Sequence, residues 1–373
     1  MNFDFSDDQR MLRDQAQKFL TDQSPPRVVR DVLEDNGKAY DEKLWGEMAA
    51  LGWMGTAIPE EYGGAGLCPE DLCVLAEELG RSLAPTPFSS SVYLATEALL
   101  LAGSEDQKQK YLPDLAMGET IGCFALAEGV GVPTPKNISV TASNGALSGV
   151  KEPVADGDVA NFVVVLARSG AADERGMSLY LVDLDGVDCE LVETIDPTRS
   201  HARLTFNGTS AELLGAEGEG WDLAQKLIDR AAVYFAFEQV GGAQASLDMA
   251  VDYAKNRFAF GRPIGSYQAI KHKLADMYIA TELARSNAYY GAWAITTGAP
   301  DVSVAAAAAR VAASEAFNHA ARENIQTHGG MGFTWEFDCH MYYRRAKILS
   351  LNLGGERRWK DRLISQLEAR NAA

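Results

Sequence analysis

Long apolar runs are missing from this 373-residue sequence, although 47% of its residues are hydrophobic. A helix that crosses a bilayer needs about 20 consecutive apolar residues. The longest weakly polar stretch, residues 302–313, is too short and is rich in alanine. The first eight residues are acidic and contain no apolar core segment, so we expect no signal peptide. These absences predict a protein that is neither secreted nor inserted into a membrane.

Cysteine is also scarce, with only five residues in the whole chain. They are odd in number and widely scattered: Cys68, Cys73, Cys123, Cys189 and Cys339. A disulfide framework or a zinc site would place cysteines at short, regular spacings. We therefore expect free thiols, no metal site and a reducing, cytoplasmic compartment.

Positive charge is in short supply, because 34 lysines and arginines face 52 aspartates and glutamates, giving a formal net charge of -18. An acidic surface repels phosphate backbones and anionic lipids, which argues against nucleic acid or a membrane as a partner. An anionic cofactor would need a local cluster of basic residues. The length is sufficient for two or three domains, each with its own buried core.

The first part of the sequence, residues 1–119, has the apolar periodicity of a helical domain. Ser6 is followed by Asp7 and Asp8, an order typical of a helix N-cap with acidic residues in the first turn. Further helices are predicted over residues 41–51, 69–83 and 105–115, and glycines predict a loop over residues 59–66.

The second part, residues 120–218, contains short apolar runs that predict β-strands. Residues 138–142 and 146–150 flank Asn144-Gly145, a strong signal for a hairpin turn. Further strands are predicted over residues 162–166, 177–184, 190–195 and 202–206. Short strands at regular spacing indicate a small β-barrel or sandwich.

Helical periodicity returns in the third part, residues 219–373. Long helices are predicted over residues 221–257, 266–297, 302–329 and 337–349. Gly241-Gly242 predicts a bend or a close helix contact in the first of them. Four amphipathic helices of this length indicate a bundle, so the chain as a whole is predicted to be mainly α with a central β-domain.

Two segments of the third part could bind a ligand. Residues 255–264 end a long helix with cations and aromatic side chains, and residues 326–336 place glycines after another helix. Taken singly, each has an ordinary structural explanation, because basic residues offset a helix dipole and glycine commonly ends a helix. Glycines also allow a phosphate or a ring to approach the backbone closely.

In their order and spacing the two segments resemble the flavin-dependent acyl-CoA dehydrogenase family. The resemblance covers nearly the whole chain and includes residues 58–64 and 107–113 of the first part. It also includes Arg257, Phe260 and Gly261, then the Gln–Gly-Gly–Gly-Phe pattern of residues 326–333, and residues 344–348.

The resemblance implies an N-terminal helical domain, a small β-domain and a C-terminal four-helix bundle. Family members oxidise an acyl-CoA thioester to the trans-2-enoyl thioester. A carboxylate removes the α-proton, and the β-hydrogen leaves as hydride to the flavin. The resemblance therefore implies FAD as cofactor, an acyl-CoA substrate and an electron-transfer flavoprotein as acceptor.

The resemblance also implies a dimer or tetramer with each FAD at a subunit interface. One subunit supplies the flavin-facing β-domain and the base, and the other binds the pyrophosphate and adenosine. The residues of this chain that match the second role are Arg257, Phe260, Gln268, Gln326, Gly329 and Gly330.

Both positions that carry the catalytic base in the family lack a carboxylate in this chain. Leu353 stands at the usual position and Ala231 at the alternative one, and neither side chain can accept a proton.

Glu238 lies seven residues beyond Ala231 on the same predicted helix face, within an apolar run. Because apolar surroundings raise the pKa of a carboxyl group, Glu238 is a candidate base. The alternative is a buried glutamate held by hydrogen bonds or an ion pair. Glu356 is a weaker candidate, because two arginines follow it directly and indicate a solvated surface.

The flavin-facing positions depart from the family as well. Its Thr-Glu-Pro stretch is Ala127-Glu128-Gly129 here, and its Trp and Thr contacts fall at Pro153 and Ala155. Gly355 replaces the threonine that follows the usual base. The hydroxyl donors and the aromatic wall of the flavin ring are therefore missing.

Two functional hypotheses follow from this pattern of loss and retention. In the first, the chain is an active FAD-dependent acyl-CoA dehydrogenase of lipid or steroid degradation that uses Glu238. In the second, it is a catalytically silent subunit that completes the FAD site of a fuller acyl-CoA dehydrogenase in a heteromer. A flavin-free helical bundle with a β insert would require many spaced motifs to coincide.

Overall fold

The computed structural model describes residues 6–35 and 37–372. Residues 1–5, which form much of the acidic N-terminus, lie outside the described residues. The first part is helical: α1 (Asp7–Gln23), α2 (Pro26–Glu34), α3 (Glu42–Ala50), α4 (Pro69–Arg81), a π-helical segment (Ser89–Thr96), α5 (Glu97–Ala102) and α6 (Glu105–Ala116).

Strands follow in the middle of the chain, and helices return after them. The strands are β1 (Gly122–Ala125), β2 (Thr141–Ser143), β3 (Ala146–Ala155), β4 (Phe162–Arg168), β5 (Met177–Asp183), β6 (Asp188–Leu191), β7 (His201–Ser210) and β8 (Glu212–Leu214). The later elements are α7 (Gly220–Asn256), β9 (Phe258–Ala259), β10 (Arg262–Pro263), α8 (Gln268–Thr297), α9 (Val302–His328), α10 (Cys339–Leu351) and α11 (Glu356–Ala372).

By their internal contacts the described residues fall into two compact units. The helical unit lies within Met1–Arg30, Pro69–Ala84 and Ala232–Ala373, and the sheet unit lies within Asp31–Cys68 and Pro85–Ala231. Helices α2 and α7 contribute residues to both units. The division into three parts, with boundaries near residues 119 and 218, follows the order of helices and strands and stays a prediction.

The sheet unit contains a single path of paired strands in the order β6-β7-β3-β2-β4-β5-β8, with β1 paired to β4 in parallel. Its core is formed by apolar side chains of the strands and of the segments beside them, all buried: Cys123, Ala125, Val140, Leu147, Val154, Val163, Val165, Ala167, Tyr180, Val182, Ala202, Leu204 and Phe206. Strands β4 and β5 are buried along almost their whole length.

The predicted hairpin turn at Asn144-Gly145 is confirmed, since it joins the antiparallel strands β2 and β3. Both residues have positive φ, 51° and 74° respectively, the conformation that this dipeptide favours. The predicted start of the preceding strand at Ile138 is wrong. The backbone N–H groups of Ser139 and Val140 donate to the carboxylate of Glu128, at 2.6 and 3.2 Å, so the strand begins only at Thr141.

The close helix contact predicted at Gly241-Gly242 is confirmed within the helical unit. A Cβ atom on Gly241 would lie 1.8 Å from the carbonyl oxygen of Glu77 in α4, and one on Gly242 would lie 2.3 Å from the Phe317 ring in α9. Reciprocally, a Cβ on Gly80 in α4 would lie 1.8 Å from the carbonyl oxygen of Glu238. Helices α4 and α7 therefore cross backbone to backbone.

Other helix ends also follow the sequence pattern. Ser6 caps α1, and its side chain and that of Gln9 form a reciprocal capping box. Helix α11 was not predicted, because its residues are mostly polar; Trp359, 2% exposed, is its buried anchor. All five cysteines are free thiols. None of the helices in the described part of the chain is long and apolar enough to cross a membrane.

Candidate functional site

The two segments singled out in the sequence meet at one end of the helical unit. The Tyr253 ring near the end of α7 lies 4.1 Å, between centroids, from the His328 ring at the end of α9. Phe337 packs edge-on against both rings. Arg257 follows Tyr253 by one helical turn, and Gly329 follows His328 directly. The ring cluster therefore holds the two segments side by side.

The first segment leaves α7 as a tight hairpin. Strands β9 and β10 pair antiparallel, and the turn between them is made by Phe260 and Gly261, with φ of 53° and 81°. The Phe260 ring is 96% exposed, and the Arg257 side chain is exposed as well. Within residues 6–35 and 37–372, no hydrogen bond or ion pair engages the Arg257 guanidinium. This cation is free to bind an anion.

Contacts with the β9–β10 hairpin precede the start of the next helix. The Tyr267 hydroxyl donates to the carbonyl oxygen of Ala259 at 3.1 Å, and the Arg262 guanidinium lies 4.0 Å from the centre of the Tyr267 ring. Gln268, the first residue of α8, is exposed directly after this anchored tyrosine. The structure thus places Gln268 beside the Arg257 hairpin.

The second segment is open at its first two glycines and closely packed at the third. Gly329 ends α9 with φ of 62°, and a side chain on Gly330 would meet no atom within 4 Å. A Cβ on Gly332, in contrast, would lie 2.5 Å from the Ile325 carbonyl oxygen. Gln326 is exposed one turn before the loop. The backbone at Gly329 and Gly330 is accessible to a ligand.

The His328 ring beneath this loop is a fixed support. Its Nδ1 atom lies 2.9 Å from the Asn324 carbonyl oxygen, and burial lowers the pKa of the ring. A neutral imidazole at this point stacks on Tyr253 without adding charge. The sequence offered one signal for this role, which is the histidine immediately before the glycines.

The two positions that the resemblance assigns to the catalytic base hold apolar side chains. Leu353 lies between α10 and α11 with φ of 62°, and Ala231 is completely buried in α7. Glu356 is exposed and lies 2.5 Å from Lys360, one turn further along α11. The surface position expected for Glu356 is therefore confirmed.

Glu238 is completely buried and lies beside arginines. Its Oε1 atom is 3.6 Å from a guanidinium nitrogen of Arg345, which is itself 1% exposed. Burial lowers the pKa of the fully buried Arg310 to about 9, and the nearby charge of Glu238 opposes that shift. The glutamate therefore compensates buried positive charge, which matches the ion-pair alternative considered for it.

Arg310 is a residue that the sequence reasoning missed. Its guanidinium donates to the side-chain oxygen of Gln239 and to the carbonyl oxygens of Leu349 and Asn352, the last at 2.8 Å. These bonds cap the end of α10, just before the loop at the family's base position. A single charged residue within the alanine-rich run 302–313 is the signal that could have revealed it.

The stretch of the sheet unit that the resemblance places against a flavin contains a buried ion pair. Lys151 is 0% exposed, and its Nζ atom lies 2.7 Å from Glu128 and 3.1 Å from the Leu126 carbonyl oxygen. Burial lowers the pKa of Lys151 to about 8. Ser139 donates a further hydrogen bond to Glu128 at 2.5 Å. Through the ion pair with Lys151 and the hydrogen bond from Ser139, Glu128 therefore stabilises the fold of this segment.

Comparison with known proteins identifies the family. The profile "Acyl-CoA dehydrogenase, N-terminal domain" matches residues 6–119, and "Acyl-CoA dehydrogenase, C-terminal domain" matches residues 218–358. Acyl-CoA dehydrogenase IpdE2 from Mycobacterium tuberculosis is 36% identical over 341 residues, which are 91% of this chain and 91% of that protein. The chain belongs to the acyl-CoA dehydrogenase family.

Two solved structures share the fold over nearly the whole chain. A Tcur3481-Tcur3483 steroid acyl-CoA dehydrogenase variant has a TM-score of 0.88 at 31% identity, with 98% of this chain and 99% of that chain covered. The ChsE4-ChsE5 complex from Mycobacterium tuberculosis has a TM-score of 0.87 at 26% identity, with 99% of each chain covered. These likenesses confirm the predicted mainly α fold with a central β-domain.

Membership in the acyl-CoA dehydrogenase family gives the site its chemical setting, because the family's enzymes are oxidoreductases. The exposed groups at the end of the helical unit are the ones that the resemblance assigned to a cofactor: Arg257, Phe260, Gln268, Gln326, Gly329 and Gly330. The acidic candidate, Glu238, lies buried elsewhere in the same unit.

Proposed function

We propose that this chain is a subunit of an FAD-dependent acyl-CoA dehydrogenase that desaturates the α,β bond of an acyl-CoA thioester. When bound, FAD supplies the hydride acceptor for that reaction. The relatives support an acyl group from lipid or steroid degradation, since one of the similar structures is described as a steroid enzyme. An electron-transfer flavoprotein would then reoxidise the flavin, in the cytoplasm.

The observation that carries the proposal is the unengaged cation at Arg257 beside an open glycine loop. In a protein of net charge -18, the surface here is locally basic, with exposed Lys255, Arg257, Arg262 and Lys271. Such a cluster attracts the pyrophosphate of FAD, and Arg257 can form charge-assisted hydrogen bonds to its oxygens. The glycine loop at 329–330 leaves room for the adenosine, so the residues present fit this half of FAD.

The other half of the site is the reason to propose a second, fuller subunit. No carboxylate stands at Leu353 or Ala231, and Glu238 is committed to Arg345 at 3.6 Å. We propose that this chain holds the pyrophosphate and adenosine, and that a partner acyl-CoA dehydrogenase subunit supplies the flavin-facing wall and the base. The likeness to a complex of two named proteins, ChsE4 and ChsE5, supports a heteromeric dimer or tetramer.

Exposed aromatic and aliphatic side chains of the helical unit support the same proposal. They lie on the Arg257 hairpin, on α8 and after the glycine loop: Phe258, Phe260, Tyr278, Ile279, Leu283, Phe333 and Trp335. Apolar groups at this density are typical of a surface that another subunit covers.

The alternative is an active subunit that uses Glu238 as its own base. One observation favours it: Glu238 is an acidic side chain on the same helix as Ala231, seven residues further on. For Glu238 to act, its contact with Arg345 would have to open during turnover. Replacement of Glu238 by Gln in the assembled enzyme would then abolish desaturation while leaving the amount of bound flavin unchanged.

The deciding experiment is the visible absorption spectrum of the purified chain, scaled to flavin per protomer. We expect little flavin in the chain alone and about one FAD per heteromeric pair after assembly with the partner subunit. A homo-oligomer that retains one FAD per protomer and desaturates acyl-CoA would refute the half-site proposal. The same result would support the alternative.

A further inference from the structure

A cavity of about 260 Å³ lies within the helical unit, and no residue of the Arg257 hairpin or of the glycine loop lines it. It is bounded by α1, α2, α4, α7 and α10. Its apolar lining includes Leu20, Val29, Leu83, Met249 and Met341. This volume is slightly below the range of pockets that hold drug-sized ligands, so it suits a smaller molecule.

The cavity wall contains a carboxyl group that the protein does not neutralise. Glu78 lines the cavity and is 4% exposed. Nearby charged side chains affect it electrostatically, but among the described residues none donates a hydrogen bond to it. It lies in the last turn of α4, where the helix dipole disfavours negative charge. A carboxyl group in this position requires a proton or a cation.

Each arginine near Glu78 is already paired with another carboxylate. Arg81 of the same helix lies 2.6 Å from Asp248, and Arg285 of α8 lies 2.9 Å from Glu77. Arg13 of α1 lies 3.8 Å from Asp14. None of these arginines forms an ion pair with Glu78 itself, so a direct ionic partner for this carboxylate would come from outside the described residues.

A second polar group faces the same space without a partner. The Ser24 hydroxyl is buried, lines the cavity and has no hydrogen-bond partner among the residues that the structure describes. The Tyr342 hydroxyl, in contrast, donates to the Arg81 carbonyl oxygen at 2.9 Å and is occupied. The wall of this cavity, which has both polar and apolar lining, therefore contains an unpaired hydroxyl and a carboxyl group that has no ion-pair partner among the described residues.

We propose that this cavity binds a small primary amine. Its ammonium group would donate hydrogen bonds to the Glu78 carboxylate and the Ser24 hydroxyl, and its hydrocarbon part would pack against Leu20, Val29 and Met341. An ammonium provides the missing positive charge and up to three donors. The site is independent of the FAD proposal, because no residue assigned to FAD lines it.

Electrostatics support an amine rather than an acid. Burial raises the pKa of Glu78 to about 7, and Glu77 adds to the rise, while Arg81, Arg13 and Arg285 oppose it. Near neutral pH a bound ammonium would draw Glu78 into its ionised form. A carboxylic acid ligand would instead place a second acidic group beside Glu78 in one small cavity.

The experiment is a calorimetric titration of the full chain with n-hexylamine, 1-hexanol and hexanoate, three probes of equal chain length. We expect one saturable site for hexylamine, binding of hexanol about tenfold weaker or more, and no binding of hexanoate. Equal affinities for the amine and the alcohol would overturn the proposal, because the Glu78 charge would then contribute nothing.

Two substitutions locate the site. Glu78→Gln should lower the affinity for hexylamine at least about tenfold, whereas Glu70→Gln at the other end of α4 makes the same charge change and should leave it unaltered. Ala245→Met should fill the cavity and abolish binding of both amine and alcohol. Unchanged hexylamine binding by Glu78→Gln refutes the proposal.

A pH series provides a test that needs no variant, in case Glu78→Gln fails to fold. Since Glu78 must be ionised to hold the ammonium, hexylamine should bind roughly tenfold more tightly at pH 8 than at pH 6. An affinity that does not change between these pH values would exclude Glu78 as the partner of the amine.

Discussion

The carboxylate of Glu238 lies 3.6 Å from the guanidinium of Arg345, and neither side chain reaches solvent. The pair joins α7 to α10, and the buried Arg310 of α9 interacts with the same glutamate. Removing one member of a buried ion pair leaves the other as an uncompensated charge. The structural role of Glu238 can therefore be measured as a change in the free energy of unfolding.

Glu238→Ala should lower the free energy of unfolding of the chain by about 3–5 kcal/mol, because Arg345 would remain buried without a counter-ion. Chemical denaturation followed by circular dichroism measures this loss. Glu315→Ala is the matched control: Glu315 pairs with Lys360 at 2.6 Å but is 51% exposed, so its loss should cost less than about 1 kcal/mol. Similar losses of unfolding free energy for the two variants would show that the buried ion pair stabilises the chain no more than the exposed one.

The fold was predictable from sequence because its signals are local. The hairpin at Asn144-Gly145, the cap at Ser6 and the close contact at Gly241 each depend on the conformational preferences of one or two residues. Helix α11 escaped prediction because its residues are mostly polar and only Trp359 is deeply buried. The end of β6 at Leu191, short of the predicted Ile195, likewise depends on pairing with β7.

The site was only partly predictable, because much of it is made by tertiary contacts. The Arg257 and Gln326 segments could be found from their order in the chain. No periodicity reveals that Tyr253 stacks on His328 and so brings the two together. The buried partners of Arg310 and of Lys151 come from distant positions in the sequence, which no local pattern reports.

Arg257→Ala should remove FAD from the assembled enzyme while the chain stays folded, because the side chain is exposed and makes no internal ion pair among the described residues. Flavin absorbance per protomer after gel filtration is the measurement, and an unchanged thermal transition of the chain alone checks the fold. Arg357→Ala removes the same charge from a side chain that is 96% exposed on α11 and should retain FAD. Full flavin content in Arg257→Ala would contradict the role given to this arginine.

Glu78 should make the stability of the chain depend on pH in a defined window. Burial raises the pKa of this group to about 7, above its ordinary value of 4.5. A raised folded-state pKa means that the folded chain binds the proton more tightly. The stabilisation that Glu78 adds to the folded chain by binding this proton is therefore fully present below about pH 4.5. It is lost as the pH rises through about 7.

Glu78→Gln removes this titratable carboxyl group and should make the free energy of unfolding less dependent on pH. Relative to the variant, the wild-type chain should lose up to about 1.4 kcal/mol per pH unit between pH 5 and 7. Denaturant titrations at several pH values without any amine measure the difference. Parallel profiles of the two proteins would show that Glu78 titrates at its ordinary pKa.

The backbone contact of α4 with α7 should tolerate no side chain at Gly241. The Cβ atom in Gly241→Ala would lie 1.8 Å from the Glu77 carbonyl oxygen and 2.8 Å from the Arg81 nitrogen, so the two helices must separate. Because backbone atoms cannot rotate away as a side chain can, we expect a loss of more than about 3 kcal/mol in the free energy of unfolding.

Gly46→Ala is the counterpart, because Gly46 lies inside α3 and a Cβ there would meet no atom within 4 Å. Alanine favours a helix over glycine by roughly 0.5–1 kcal/mol, so this variant should be slightly more stable than the wild type. The same substitution in two helices should thus have opposite signs in one denaturation experiment. If Gly241→Ala were also stabilising, α4 and α7 would not be in backbone contact, and the buried environment assigned to Glu238 beneath that crossing would have to be revised.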